Sequence, residues 1–396
     1  MSSACHKPVF MHNGRQSSED GLPEQAIAVT IGYPSDYQVS SLRNRPLWTQ
    51  FPLLVTMSTA LALAGCTGSH AIVRSDGVGL PGMTWFAPAV ASDRTALAHW
   101  SAAVGPPVVQ AAPTVDSRPA DTLRVVSWNI ALGAGDVTRL LRDLRSGQPE
   151  ADIVLLLQEV YREGPEVPRK IQDGIQFAGQ LGEGVRQRRE IEAIATAESL
   201  NLYYVPSMRN GSPLVSDEDR GNAILSSLPL SEFSAIELPF ERQRRVAVAA
   251  TVSGLTSDGL GWNLRVVSSH LDNLVGAQRG WIFGGESARI RQARALVEYL
   301  KGDDAVVLGG DFNTWFGFSE GTYTEIARAF PDTSSADRRP TFMGFLRLDH
   351  LFFRLPDGWR GRFHRAAERY GSDHYPLVAT IDMRSGDAGL RLCTPS

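Results

Sequence analysis

The chain has 396 residues, 43% of them hydrophobic and 21% charged. That is ordinary globular composition, enough to bury the core of one large or two average domains. A net charge of −4 excludes a protein that coats nucleic acid by bulk positive charge, and three cysteines (Cys5, Cys66, Cys393) exclude a disulfide framework or a cysteine zinc site.

Residues 1–40 are polar and aperiodic. Arg43 and Arg45 then precede an apolar stretch, Phe51 to Ala64, and the tetrad Leu63-Ala64-Gly65-Cys66. Positive flank, apolar centre and small residues before a break follow the plan of a secretory signal. The stretch is shorter than the roughly 20 residues a membrane span needs. The tetrad resembles a bacterial lipobox, which implies a lipid on Cys66, export, and anchoring to a membrane on its periplasmic side or at the cell surface. A true start downstream of the first Met would account for the 40 residues ahead of it. Residues 67–120 are rich in Ala, Pro, Val, Ser and Gly and read as a tether, with Trp85 and Trp100 as positions that could dock on a domain.

From Leu123 the pattern is strongly structured and contains a faint repeat. Leu123-Arg124-Val125-Val126-Ser127 recurs as Leu264-Arg265-Val266-Val267-Ser268. A helical pattern follows each copy, over Val137–Leu144 and Ala288–Leu300. A buried strand then ends in polar residues: Asp152 to Leu157 leads to Gln158-Glu159, and Ala305 to Leu308 leads through Gly309-Gly310 to Asp311 and Asn313. Between the copies, Glu183–Leu200 reads as helix. Leu202–Val205, Gly221–Ser226 and Val246–Val252 read as strands, and Asn210-Gly211 as a turn. Two basic clusters, Arg186-Gln187-Arg188-Arg189 and Arg242-Gln243-Arg244-Arg245, read as solvated surface, with Arg245 as the exception because it abuts a strand. Leu346 to Phe353 and Val378–Ile381 supply the last strands, and 384–396 reads as a loose tail. Two similar halves, each a sheet covered by helices on one face, predict an α/β fold: a four-layer α/β/β/α sandwich of two packed mixed sheets.

The polar strand ends carry the chemistry. Glu159 closes an apolar strand, where a carboxylate needs a partner such as a divalent cation. Hard oxygen donors without a Cys or His cluster select Mg²⁺, with Mn²⁺ as substitute. His350 follows Asp349 in a strand, faces the other way and is given no role.

Trp128-Asn129, Gln158-Glu159, Ser269-His270-Leu271-Asp272, Gly310-Asp311-Phe312-Asn313, Leu348-Asp349-His350 and Ser372-Asp373-His374 resemble, in order and approximate spacing, the endonuclease/exonuclease/phosphatase superfamily. The resemblance spans 121–383 and implies the same sandwich. It implies that Asn129 lies beside the metal with Glu159, and that Asp373 completes the metal site through water. Asp311 would activate the attacking water and Asn313 would donate to a phosphate oxygen. His374, held by Asp349, would stabilise the transition state, and His270 would serve near the leaving group. Asn222, Asp272 and Arg245 are further candidates on the substrate side. The expected activity is a nuclease-like phosphodiesterase acting by in-line attack of water on nucleic acid or a phospholipid head group. A sphingomyelinase-like or inositol-phosphate phosphoesterase is the alternative, for which Trp281-Ile282-Phe283 offers an apolar loop. A non-catalytic binding protein on the same fold is the contrasting class, and it predicts decay at positions that are all filled here. No protein partner is implied.

Overall fold

The computed structural model describes residues 71–75, 79–113, 119–147, 151–168, 187–210, 217–273, 284–333 and 337–383. Cys66, the Trp281-Ile282-Phe283 loop and the 384–396 tail lie outside them. No described helix is long and apolar enough to cross a membrane.

Much of the segment expected as a tether is folded. It supplies β1 (Ile72–Ser75), β2 (Thr84–Pro88), α1 (Ala91–Ser101) and β3 (Val108–Gln110). Trp85, Leu97 and Trp100 are buried. Burying a large apolar side chain contributes about 2 kcal/mol, and three such anchors hold a segment whose Ala, Pro and Gly content reads as linker. The rest of the fold follows in order: β4 (Thr122–Asn129), α2 (Val137–Gly147), β5 (Asp152–Glu163), α3 (Ile191–Glu198), β6 (Asn201–Asn210), β7 (Glu218–Ser226), β8 (Leu230–Glu237), β9 (Val246–Leu255), β10 (Gly261–His270), α4 (Gly284–Tyr299), β11 (Val306–Asp311), α5 (Gly321–Ala327), β12 (Asp349–Arg354), β13 (Arg360–Arg365) and β14 (Leu377–Asp382).

These strands form two seven-stranded mixed sheets, ordered β1-β2-β8-β9-β10-β11-β12 and β13-β14-β4-β5-β7-β6-β3. The repeat in the sequence is a repeat in space. β4 pairs in parallel with β5, and β10 in parallel with β11, each pair joined through a helix. One core of Val125, Leu156, Val248, Val266 and Val307, with their neighbours, fills the space between the sheets. A second packs α2 and α3 on the outer face of one sheet, and a third packs α4 and α5 on the outer face of the other. The result is the expected α/β/β/α sandwich.

The sheets approach closely at Gly309, the first of the glycine pair of β11. A Cβ on Gly309 would stand 2.8 Å from the Ser127 Cβ and 2.9 Å from the Leu156 Cδ1 of the opposite sheet, and one on Gly310 would stand 2.0 Å from the Ser269 carbonyl oxygen. Beside this contact, Gln158 donates from Nε2 to the Ser268 Oγ (2.9 Å), which in turn donates to the Leu157 carbonyl (2.9 Å). The glycines let the strand ends of both sheets meet at one rim. Gly310→Ala is expected to lower unfolding free energy by about 3 kcal/mol, the scale of overpacking a core. Gly302→Ala, where a Cβ meets nothing within 4 Å, should change it by less than about 0.5 kcal/mol; urea titration of both variants measures the difference.

Candidate active site

Four strand ends deliver the polar residues to the rim. His270 closes β10 and is register-paired with Asp311 at the end of β11, which is paired in turn with Asp349 at the start of β12. Asn129 closes β4 beside Gln158 of β5. Where β5 slips register against β7, Glu159 takes a left-handed φ of 51°, and Asn313 just past β11 takes 50°. Left-handed backbone at a non-glycine residue is costly and persists where the surroundings over-determine it, as they do at functional sites. Asn tolerates it better than Glu, because its short side chain bonds locally.

Asp311 is the centre of the cluster. It is 2% exposed. Its Oδ2 accepts a hydrogen bond from Asn129 Nδ2 (3.0 Å), and its Oδ1 accepts one from the Asn313 backbone N–H (3.0 Å). The same Oδ2 lies 3.4 Å from His270 Nε2 and 3.7 Å from His374 Nε2. Burial pushes the carboxyl up to about 7, even though His374 and the two donors favour its charged form.

The two histidines differ in charge for a reason that is visible around them. His374 Nδ1 bonds Asp349 Oδ2 at 2.8 Å, and the Phe342 ring covers the imidazole at 4.6 Å. Burial opposes its charge, but Asp349, Asp311 and Asp373 outweigh burial and push it up to about 10. His374 is an imidazolium at neutral pH. His270 is buried too, but Arg245, Arg220 and His374 add repulsion and hold its pKa well below the usual value. It is neutral.

Glu159 sits on the other side of His270, in a small cleft with Arg220, Asn222 and Arg245. Arg220 is its electrostatic partner, yet no described residue donates a hydrogen bond to its carboxylate. Asn222 donates from Nδ2 to the Val246 carbonyl (2.6 Å), which leaves it in the cleft wall. Asp373 accepts a long bond from Ser372 Oγ at 3.4 Å.

Comparison with known proteins settles the class. The model of the Endonuclease/Exonuclease/phosphatase family matches residues 126–374. This chain belongs to that family. Members of the family are phosphoester hydrolases. Similar solved structures include sphingomyelinase C from Streptomyces griseocarneus (19% identity, 65% of this chain and 99% of that one, TM-score 0.39). Truncated TDP2 from Caenorhabditis elegans is 16% identical over 66% and 97% of the two chains, with a TM-score of 0.38. The 3′ phosphatase NExo from Neisseria, bound to a product DNA hairpin, is 16% identical over 65% and 98%, with a TM-score of 0.39. No curated protein matches the sequence.

Within the family's frame, three expectations shift. Asp272 does not line the cleft: its Oδ2 accepts the backbone N–H groups of Arg242 (2.9 Å) and Gln243 (3.2 Å), so it pins the segment that carries Arg245. Asn313 donates one amide hydrogen to the Leu271 carbonyl (3.0 Å), which leaves one for a phosphate oxygen. The second basic cluster is not solvated throughout. Arg244 is 1% exposed and bonds Glu237 Oε1 at 2.7 Å, while Arg245 is 5% exposed with its Nε unpartnered among the described residues. Arg220 escaped the sequence reading altogether, although it directly precedes the Gly221-Asn222 pair at a polar strand start. His350, given no role, bonds Thr314 Oγ1 (2.8 Å) inside an aromatic cluster with Phe312, Phe318 and Tyr323.

Ligand atoms of Asp311, Asp349 and His374 lie within 4.8 Å of one another, close enough to share a cation. The His374 Nδ1 hydrogen already occupies the space between His374 and Asp349, so this trio suits proton chemistry better. Because the folded pKa of His374 lies above the ordinary imidazole value, the stability it contributes is whole below about pH 6.5 and fades as pH rises through about 10. NMR titration should find His374 protonated through pH 8, and Asp349→Asn should bring its titration down toward the ordinary value near 6.5.

Proposed function

We propose that the protein is a metal-dependent phosphodiesterase that hydrolyses its substrate by in-line attack of water. The observation that carries this reading is the setting of Asp311: a buried carboxyl near neutral pKa, held by Asn129 and the Asn313 N–H, with an imidazolium on one side and a neutral imidazole on the other. A base tuned close to the working pH is well matched to taking a proton from water. As the water oxygen bonds to phosphorus, its proton passes to Asp311, and the bond to the leaving oxygen breaks, the departing alkoxide taking its proton from solvent. His374, charged and oriented by Asp349, donates from Nε2 to a phosphoryl oxygen as negative charge builds there. The free amide hydrogen of Asn313 serves the same oxygens, and His270 steadies Asp311 from the leaving-group side.

The donor set fits a hard cation. Glu159 offers a carboxylate without a hydrogen-bond donor among the described residues, Asn129 Oδ1 accepts one bond, from the Ala131 N–H at 3.0 Å, and Asp373 would add a further carboxylate. These residues would hold Mg²⁺, with Mn²⁺ as substitute. When bound, the ion neutralises charge on the phosphoryl oxygens.

A second reading of the substrate has its own observation. Phe316, Met343 and Phe345 are 55%, 61% and 71% exposed on two adjoining loops, and Phe342 at the root of one covers His374. Exposed apolar side chains on and next to the loop that carries Phe342 support a phospholipid head group over a nucleic acid, and they agree with a lipid on Cys66 that would anchor the exported protein to a membrane. Parallel assays on single-stranded DNA and sphingomyelin vesicles separate the two.

Glu159→Ala, Asp311→Ala and His374→Ala should each lower kcat by about 10³-fold or more on bis(4-nitrophenyl) phosphate. A folded Asp311→Ala protein with wild-type turnover would overturn the mechanism. The acid limb of the pH–rate profile should rise as Asp311 loses its proton near 7, and the alkaline limb should fall as His374 loses its own near 10. EDTA should abolish activity and added Mg²⁺ should restore it.

A further inference from the structure

A second cavity lies outside the catalytic cleft, built largely by the N-terminal segment that precedes the family match. Its volume is about 440 Å³, within the range of small-molecule sites. It opens between β2, second from the edge of one sheet, and β6 of the other, under α1. Trp85, Ala87, Val104, Val205 and Pro206 form apolar walls.

Two guanidinium groups break that apolar surface. Arg244 lies in the floor, 1% exposed, with its Cζ 5.9 Å from the Trp85 ring. Its Nε bonds Glu237, and its Nη1 donates to the carbonyls of Pro206 (2.8 Å) and Ser207 (3.1 Å). Its Nη2 makes no hydrogen bond to any described residue. Arg94 stands at the mouth on α1. Its Nη1 donates to the carbonyls of Pro88 (2.8 Å) and Ala89 (2.6 Å), which fix the head group while Nε and Nη2 stay without a described partner. Glu237 is the one carboxylate among the described lining residues, and Arg244 neutralises it.

We infer that this cavity is a binding site for a small organic anion with a flat apolar body. The ring lies against Trp85 and the proline wall, and the anionic group meets Arg94 or the Nη2 of Arg244. A neutral analogue loses the charged hydrogen bonds, and a cation meets Arg94, whose charge no lining carboxylate offsets as Glu237 offsets Arg244, so the site selects on charge as well as shape. A carboxylate and a phosphonate share this chemistry. The site backs directly on the catalytic cleft: Arg244 and Pro206 in its wall are followed in sequence by Arg245 and Ser207, which line the cleft.

Isothermal titration calorimetry with 2-naphthoate, 2-naphthylphosphonate and the neutral 2-naphthamide tests the assignment on the full chain. Both anions should bind wild-type protein saturably at one site, and at least one should bind about tenfold more tightly than the amide. The tighter anion identifies the preferred head group. Binding should survive in Asp311→Ala, which separates this cavity from the catalytic centre. It should weaken about tenfold or more in Arg94→Glu, a surface change, and in Ala98→Trp, which fills the mouth. No saturable binding, equal affinity for the amide, loss of binding in Asp311→Ala, or unchanged binding in a folded Arg94→Glu protein would overturn the inference.

Discussion

The close packing at Gly309, where the two sheets meet, and at Gly310, where β11 lies against β10, is the constraint on which the site depends. Any side chain there would hold the sheets apart or part β11 from β10. With glycine, β4 and β5 of one sheet lie against β10 and β11 of the other, and the Gln158–Ser268–Leu157 hydrogen bonds lock the crossing. Each pair is parallel, so both run their C-terminal ends to the same rim. Asn129 then reaches Asp311 across the interface at 3.0 Å, although the two are 182 residues apart. A hydrogen bond of that length tolerates little sliding between layers.

The second constraint is electrostatic. A buried carboxyl, a second carboxyl and two imidazoles share one small volume, and they cannot all be charged or all neutral. Asp349 fixes one proton on His374, which offsets part of the cost of burying Asp311. Burial keeps the proton off His270, and Arg245 and Arg220 add to it. One imidazole therefore supplies charge and the other only a neutral ring, from identical side chains in different surroundings. The same arginines flank Glu159, whose carboxylate otherwise lacks a donor.

The sequence made part of this legible and hid the rest for physical reasons. The two Leu-Arg-Val-Val-Ser copies showed because central parallel strands, buried on both faces, read as apolar runs. The site positions showed because they sit at the ends of those runs. β13 did not show: its pattern, Arg360-Gly361-Arg362-Phe363-His364-Arg365, belongs to an edge strand that buries only Phe363. The N-terminal strands were masked by Ala, Pro and Gly, and only Trp85 and Trp100 signalled that the segment docks. Asp272 was placed on the substrate side as part of the Ser269-His270-Leu271-Asp272 motif. Yet strand geometry turns it toward the backbone of Arg242 and Gln243. Burial of Arg244 was illegible because its partner, Glu237, lies across a hairpin. Charge runs show sign but not pairing.

The central claim is that Asp311 delivers a water molecule, and no protein atom, to phosphorus. Single-turnover hydrolysis of bis(4-nitrophenyl) phosphate in ¹⁸O-water, with mass analysis of the phosphate monoester product, tests it most directly. The account predicts one ¹⁸O atom in the monoester from the first turnover and none in the released nitrophenol. An unlabelled monoester with the label in nitrophenol would contradict it, as would a phosphorylated protein carrying unlabelled oxygen.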